Sequence, residues 1–214
     1  MFVPELYRPQ DPAWVLEVIR AHPLATMLVN GPEEPFATHL PVIPAEETLA
    51  LGGGESGLVG ATLLGHLNRS NPHWAALAEG TDAVLVFQGP HGYVSPTVYR
   101  TTPAAPTWNF VTVHVHGRVE PLAAGAETLA VVRETVRTFE RDLGTGWDMT
   151  ESLSYFEEIA PAVGAFRFTV TAAEGMFKLS QEKTPEVRKL VADSFEASGH
   201  GRHRELAAAM HRFG

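Results

Sequence analysis

Up to about residue 120 the apolar positions fall in short alternating runs, and from Gly125 they recur every three or four residues. Period two reads as strand and period 3.6 as helix, so the chain divides into a strand-rich part and a helix-rich part. A first helix opens at Asp11-Pro12, where a side-chain acceptor caps the start and proline suits the first turn. It carries Trp14, Val15, Val18 and Ile19 and stops before Pro23. Leu24–Val29 reads as a strand and Gly31-Pro32 as a turn. Pro35–Ile43 is a second strand, placed by its prolines at an edge or bulge. Of the glycine-rich runs Leu49–Gly54 and Gly57–Leu64, one makes a third strand. Next, Ser70 or Asn71 caps a short helix with Pro72 in its first turn and Gly80 at its end.

Two further strands, Ala83–Phe87 and Asn109–Arg118, flank a segment of more than twenty residues with His91, Tyr93, Ser95, Tyr99, Thr107 and Trp108. A loop of that length, rich in rings and hydrogen-bonding groups, is expected to carry function. In the strand that follows it, Val111, Val113 and Val115 share one face, and Thr112, His114 and His116 the other. Leu129, Val132, Val136, Phe139 and Leu143 then form one helical stripe, ended by Gly144 and Gly146. A short helix at Ser152–Ile159, a strand at Val163–Thr171 and helices at Pro185–Phe195 and Arg202–Arg212 complete the order. Strands that follow one another without long crossovers imply an antiparallel barrel with helices outside, an α+β fold. No linker divides the chain, so residues 1–214 are expected to form a single domain. Its helical segment lies at about 125–160 and its C-terminal helices at about 184–212.

A chain of 214 residues with 44% hydrophobic and 19% charged residues has the makings of a sizeable core. The absence of cysteine excludes disulfides, thiolate metal sites and cysteine nucleophiles. No apolar run approaches the roughly 18 residues that cross a bilayer, so no membrane is expected. The first residues lack the order of a secretory signal, and a cytoplasmic location is the default expectation. A net charge of −9 argues against broad binding to a phosphate backbone, but leaves room for a small anion or a local DNA-binding patch.

Three sets of residues stand out for chemistry. Arg69-Ser70-Asn71 at a helix start offers a guanidinium fork, a hydroxyl and free amides to a phosphate; the same residues also make an ordinary capped helix with a solvated arginine. His114 and His116, with Glu120, form an HxH-x3-E pattern like that of cupins, though Trp108 and Glu127 stand where that pattern wants glycine. Two interface histidines are the alternative. Thr38-His39, taken with Pro106–Asn109, supplies the aromatic and small polar groups suited to a flat heterocycle with a phosphate tail. Trp108 serves equally as a core or interface anchor. There is no GxSxG elbow, Walker loop, GxGxxG or HExxH, and no side chain stands out as a catalytic acid or base. The C-terminal basic residues alternate with acidic ones, as on a solvated helical face.

Five ordered segments, PFATHLP at 35–41, GHLNRSNPHW at 65–74, FQGPHGYVSP at 87–96, PTWNFVTVHVHG at 106–117 and KLSQ at 178–181, resemble the PaiB-type family of FMN-binding negative transcriptional regulators. The resemblance implies a split β-barrel like that of pyridoxamine-phosphate oxidases, and a homodimer with FMN at the subunit interface. It makes Arg69, Ser70 and Asn71 the candidates for the FMN phosphate and lays Thr38, His39 and Leu40 beside the flavin. Trp108 and Asn109 would cover the ring, from the partner subunit or at its edge, and Lys178 and Gln181 would close the pocket. The family also carries the possibility of a DNA partner, with an FMN-dependent oxidoreductase using NAD(P)H as the alternative and a cupin-like metal protein as a more distant one. Two positions depart from the family pattern: Val98 where a tryptophan is usual, and Glu182 where asparagine is.

Overall fold

The computed structural model describes residues 1–51, 57–77 and 80–213. Six strands are present there: β1 (Leu24–Asn30), β2 (Pro35–Pro44), β3 (Thr62–Asn68), β4 (Thr81–Val94), β5 (Thr107–Pro121) and β6 (Val163–Lys178). They pair antiparallel in the order β1-β2-β3-β6-β5-β4 and close into a barrel. Around it lie α1 (Ala13–Ala21), α2 (Glu46–Leu51), α3 (Pro72–Leu77), α4 (Ala126–Asp142), α5 (Leu153–Ile159), α6 (Pro185–Glu196) and α7 (Gly201–Phe213). This is the α+β antiparallel barrel that the hydrophobic pattern implies. No helix among the described residues is long and apolar enough to cross a membrane.

Strand alternation fills the interior. β1 turns Ala25, Met27 and Val29 inward and Leu24, Leu28 and Asn30 outward. Met27, Leu85, Phe87, Val113, Phe166 and Phe168 make the centre of the core, and Val15, Leu16, Val18 and Ile19 of α1 join it. The helix pair α6–α7 lies on β4 at Gly92, where a Cβ would come within 2.7 Å of the Phe195 ring. Glycine is therefore what lets these helices approach the strand.

The sequence pattern misleads in three places. The long loop between the two central strands is in part strand: after a bulge at Gln88–His91 the β4–β5 ladder resumes and runs through Tyr93↔Trp108 to Val94↔Thr107. Gly89-Pro90 marks the bulge rather than a loop, and the true connection is residues 95–106. Of the run 49–54, residues 49–51 end α2 and residues 52–54 lie outside the described residues; β3 shares only residues 62–64 with the second run and extends on to Asn68. On α4 the most buried residues are Thr128, Val131 and Thr135, while Leu129, Val132, Val136 and Phe139 are half-buried and Leu143 is exposed. Each buried threonine hydroxyl donates to a nearby carbonyl, Thr128 to Ala123 and Thr135 to Val131, so neither is hidden unsatisfied.

Burial holds the pKa of His22, His66, His73, His114 and His203 below the usual histidine range. A histidine whose folded pKa is depressed charges more readily in the unfolded chain. The stability it contributes is therefore whole above the unfolded pKa of about 6.5 and is lost as pH falls below it. Differential scanning fluorimetry should give a Tm that is flat between about pH 8 and 7 and falls steadily towards about pH 5.5.

Candidate functional site

β2 pairs with β1 from Pro35 to Pro41, but with β3 only from Val42 to Pro44. β3 instead continues against β6 as far as Asn68↔Val163. The barrel thus splits between the first half of β2 and the end of β3, and along that half of β2 the backbone groups turned away from β1 meet no strand partner. Pro35 and Pro41 lie along this locally free half, while Pro44 lies in the part paired with β3.

The chain leaving β3 builds one wall of the split. Asn68 Oδ1 accepts from the Ser70 amide (2.7 Å), and Asn71 Oδ1 accepts from the His73 amide (3.0 Å) at the start of α3. Asn71 Nδ2 donates to Thr38 Oγ1 (3.2 Å), and His73 Nδ1 lies 2.9 Å from the same oxygen. The His73 ring is wholly buried and stacks on Phe36, with centroids 5.4 Å apart. These contacts tie α3 to the free half of β2. Arg69 donates from Nε to the Val163 carbonyl (2.8 Å) and its guanidinium lies 5.0 Å from the centre of the Trp74 ring. Gly164 has no Cβ to collide with that indole. Among the described residues the Arg69 Nη atoms and the Ser70 hydroxyl have no hydrogen-bond partner, so a held cation and a hydroxyl donor remain available at the split.

Thr38, Arg69, Ser70 and Asn71 are therefore brought together. His39 and Leu40 stand beside Thr38 on β2 but face apart, His39 to the outer surface and Leu40 into the core. The other four candidates lie elsewhere. Asn109 is wholly buried, donating to Ser180 Oγ (2.9 Å) and accepting from it (3.1 Å). Gln181 accepts from the Leu179 amide and donates to the Phe177 carbonyl, which closes its own turn. Lys178 donates to Thr107 Oγ1 (2.6 Å). Trp108, about half exposed, stands on the outer face with Tyr93 and His91, its ring 6.1 and 5.8 Å from theirs. From Val163, beside Arg69, to Lys178, beside this second group, β6 runs 16 residues, a contour of about 50 Å at 3.3 Å per residue. Within one chain the candidates form two clusters at opposite ends of β6.

Replacing Asn109 with Ala strands the Ser180 hydroxyl and leaves a small void. The expected cost is about 2–3 kcal/mol, or a Tm lower by roughly 5–10 °C, read by thermal unfolding.

His114 and His116 lie on the outer sheet face, and a register shift follows them at Gly117, before Glu120. His116 approaches Glu174 (4.0 Å) rather than Glu120, and among the described residues no group of three or more His, Asp or Glu side chains could hold a metal ion. The cupin-like pattern is thus not assembled. Sequence reasoning also passed over Phe36, His73 and Trp74. His73 and Trp74 stand inside the segment that carries the family resemblance, but nothing in their spacing announces the bond to Thr38 or the stack under Arg69.

The split suits FMN in its donor set. It joins a stacked arginine with unpaired Nη groups, a free hydroxyl and an open strand edge able to pair with the carbonyl and ring-nitrogen edge of an isoalloxazine. Protease synthase and sporulation protein PAI 2 of Bacillus subtilis is 24% identical over 212 residues, covering 98% of this chain and 96% of its own. An uncharacterised protein of Emericella nidulans is 27% identical, covering 86% and 85%. The barrel is shared with the FAD and heme binding protein of Mycobacterium smegmatis (TM-score 0.54, 17% identity, 82% of this chain and 75% of that one). It is shared also with the flavocytochrome Anf3 of Azotobacter vinelandii (TM-score 0.55, 18% identity, 86% and 75%). A family model described as "Putative FMN-binding domain" matches residues 1–172, more than half of the chain. The chain belongs to this family of FMN-binding split barrels, and its cofactor is FMN.

Proposed function

We propose that the chain acts as a homodimer holding two FMN molecules, each between the Arg69 end of one copy and the Trp108 end of the other. The observation that carries this reading is the separation of the two clusters: one barrel cannot bring Trp108 to Arg69, whereas a two-fold arrangement of two barrels can. In this arrangement Arg69 and Ser70 hold the phosphate, Thr38 and the free edge of β2 meet the ring, and Trp108 of the partner copy covers it. Lys178, Asn109 and Gln181 support the segment that carries Trp108.

The outer sheet face supplies a surface for pairing. Cross-strand rows there read His39–Thr26–Val86–His114 and Ala37–Leu28–Val84–His116, an apolar centre of Val86, Ala37, Leu28 and Val84 flanked by Thr26 and three histidines across β2, β1, β4 and β5. Titrating the chain with FMN while following flavin fluorescence and sedimentation tests the reading. One FMN per chain on a dimer is expected, and a chain that saturates with FMN while sedimenting as a monomer overturns it.

A part in negative transcriptional regulation follows from the family resemblance. Among the C-terminal basic residues Lys189 pairs with Asp193 and Arg212 with Glu17, while Arg202 bonds the His91 ring, which carries no negative charge, so with a net charge of −9 any DNA contact would rest on a local patch. A mobility-shift assay at stated salt decides it; no retarded DNA at low salt removes the DNA-binding part. Reduction of the bound flavin by NADH or NADPH would add an oxidoreductase activity on the same site.

A further inference from the structure

Thr38 Oγ1 has two nitrogen neighbours, and their chemistry decides where its own proton goes. Asn71 Nδ2 donates to it at 3.2 Å, which uses one lone pair. His73 Nδ1, at 2.9 Å, either donates to the hydroxyl or takes its proton, according to which ring nitrogen carries hydrogen. The other ring nitrogen settles the choice. His73 Nε2 is buried and meets no hydrogen-bond partner among the described residues. If Nε2 carried hydrogen, the ring would leave an N–H donor unpaired in the core, and orphaned buried N–H groups are the rarer and costlier defect. With the hydrogen on Nδ1, Nε2 keeps only an unused lone pair, and His73 donates to Thr38. Both lone pairs of the hydroxyl are then taken, and its proton is free for a group outside the trio.

We propose that His73, held as the Nδ1–H tautomer, and Asn71 together fix the half-buried Thr38 hydroxyl as a hydrogen-bond donor to the flavin at the split. The inference rests on the FMN reading of this site and adds His73 to it as a positioning residue. The ring is wedged by its stack on Phe36, so its plane is set before any ligand arrives. Burial keeps His73 neutral by lowering its pKa, which preserves the bare Nε2 near neutral pH. The acceptor is a carbonyl oxygen or ring nitrogen of the isoalloxazine, or a phosphate oxygen; riboflavin separates the two sources.

The first test needs no ligand. Long-range nitrogen–proton correlation spectra of the histidine rings in the full chain should show His73 protonated at Nδ1 and bare at Nε2; the opposite tautomer overturns the proposal. The second test is FMN affinity by fluorescence quenching. T38V should bind about 3- to 10-fold more weakly, the worth of one hydrogen bond, and T38S should return to within about two-fold of wild type. H73L should lose a similar factor, and the double variant T38V/H73L should be no weaker than T38V alone, because the two act through one hydroxyl. Equal affinity in wild type and T38V, or additive losses in the double variant, overturns the inference and leaves the FMN reading standing. Failure of the wild-type chain to bind FMN at all removes both. If H73L does not fold, the T38V/T38S pair and the tautomer still decide. Equal losses for FMN and riboflavin place the acceptor on the ring, and a loss confined to FMN places it on the phosphate.

Discussion

Arg69→Ala should weaken FMN binding by about 30- to 150-fold, roughly 2–3 kcal/mol, and leave riboflavin binding nearly unchanged. The difference between the ligands is the phosphate, so a residue that serves the phosphate is revealed by comparing them. Arg69 is prepared for that task before the ligand arrives. Its Nε is spent on the Val163 carbonyl and its plane rests on Trp74, which leaves the Nη edge as the part free to bind. Little side-chain entropy remains to be lost on binding. Arg69→Lys should recover only part of the affinity, because an ammonium neither stacks as a plane nor offers a fork. Equal losses for FMN and riboflavin would show instead that Arg69 supports the fold of the split.

Leu28→Glu should have the second large effect, on assembly. Leu28 is outward and exposed, paired across the sheet with Ala37 and Val84 in the apolar centre of the face proposed for pairing. In the proposed dimer a carboxylate there would be buried against the other copy and face like charge across the two-fold axis. Sedimentation should show dimer dissociation increased by at least about 100-fold, since like charges facing each other across an interface cost several kcal/mol. FMN affinity should fall with it, because each site loses the wall given by the other copy. Far-ultraviolet circular dichroism should be unchanged, as the substituted side chain points away from the core. A dimer of wild-type strength would place the interface on another face.

The course of the chain was largely legible from its periodicity, because inward residues such as Ala25, Met27 and Val29 alternate with outward ones in a barrel with a closed core. Threonines on α4 hid the buried helix face, since a hydroxyl bonded to a nearby carbonyl, as Thr128 is to Ala123 and Thr135 to Val131, can be buried without an unsatisfied donor. Gly89-Pro90 looked like the start of a loop because a bulge and a turn use the same residues. At the site, Arg69 was legible as a cation before a capped helix. What residue types could not convey is that Asn71 spends both ends of its amide on His73 and Thr38, and that Asn109 and Gln181 spend theirs on Ser180 and the Leu179 turn. Nor does order along the chain tell that Trp108 and Arg69 lie at opposite ends of β6. Those are facts of register, fixed only once the strands are paired.

The composite site can be tested by mixing. Arg69→Ala and Trp108→Ala should each bind FMN poorly alone, one lacking the phosphate anchor and the other the ring's cover. A heterodimer of the two holds one site with both residues intact and one with neither. Mixed in equal amounts and allowed to exchange, the variants should regain tight FMN binding at about a quarter of all sites, as random pairing of two-fold dimers requires. No tight sites after demonstrated exchange would contradict a flavin held between two copies.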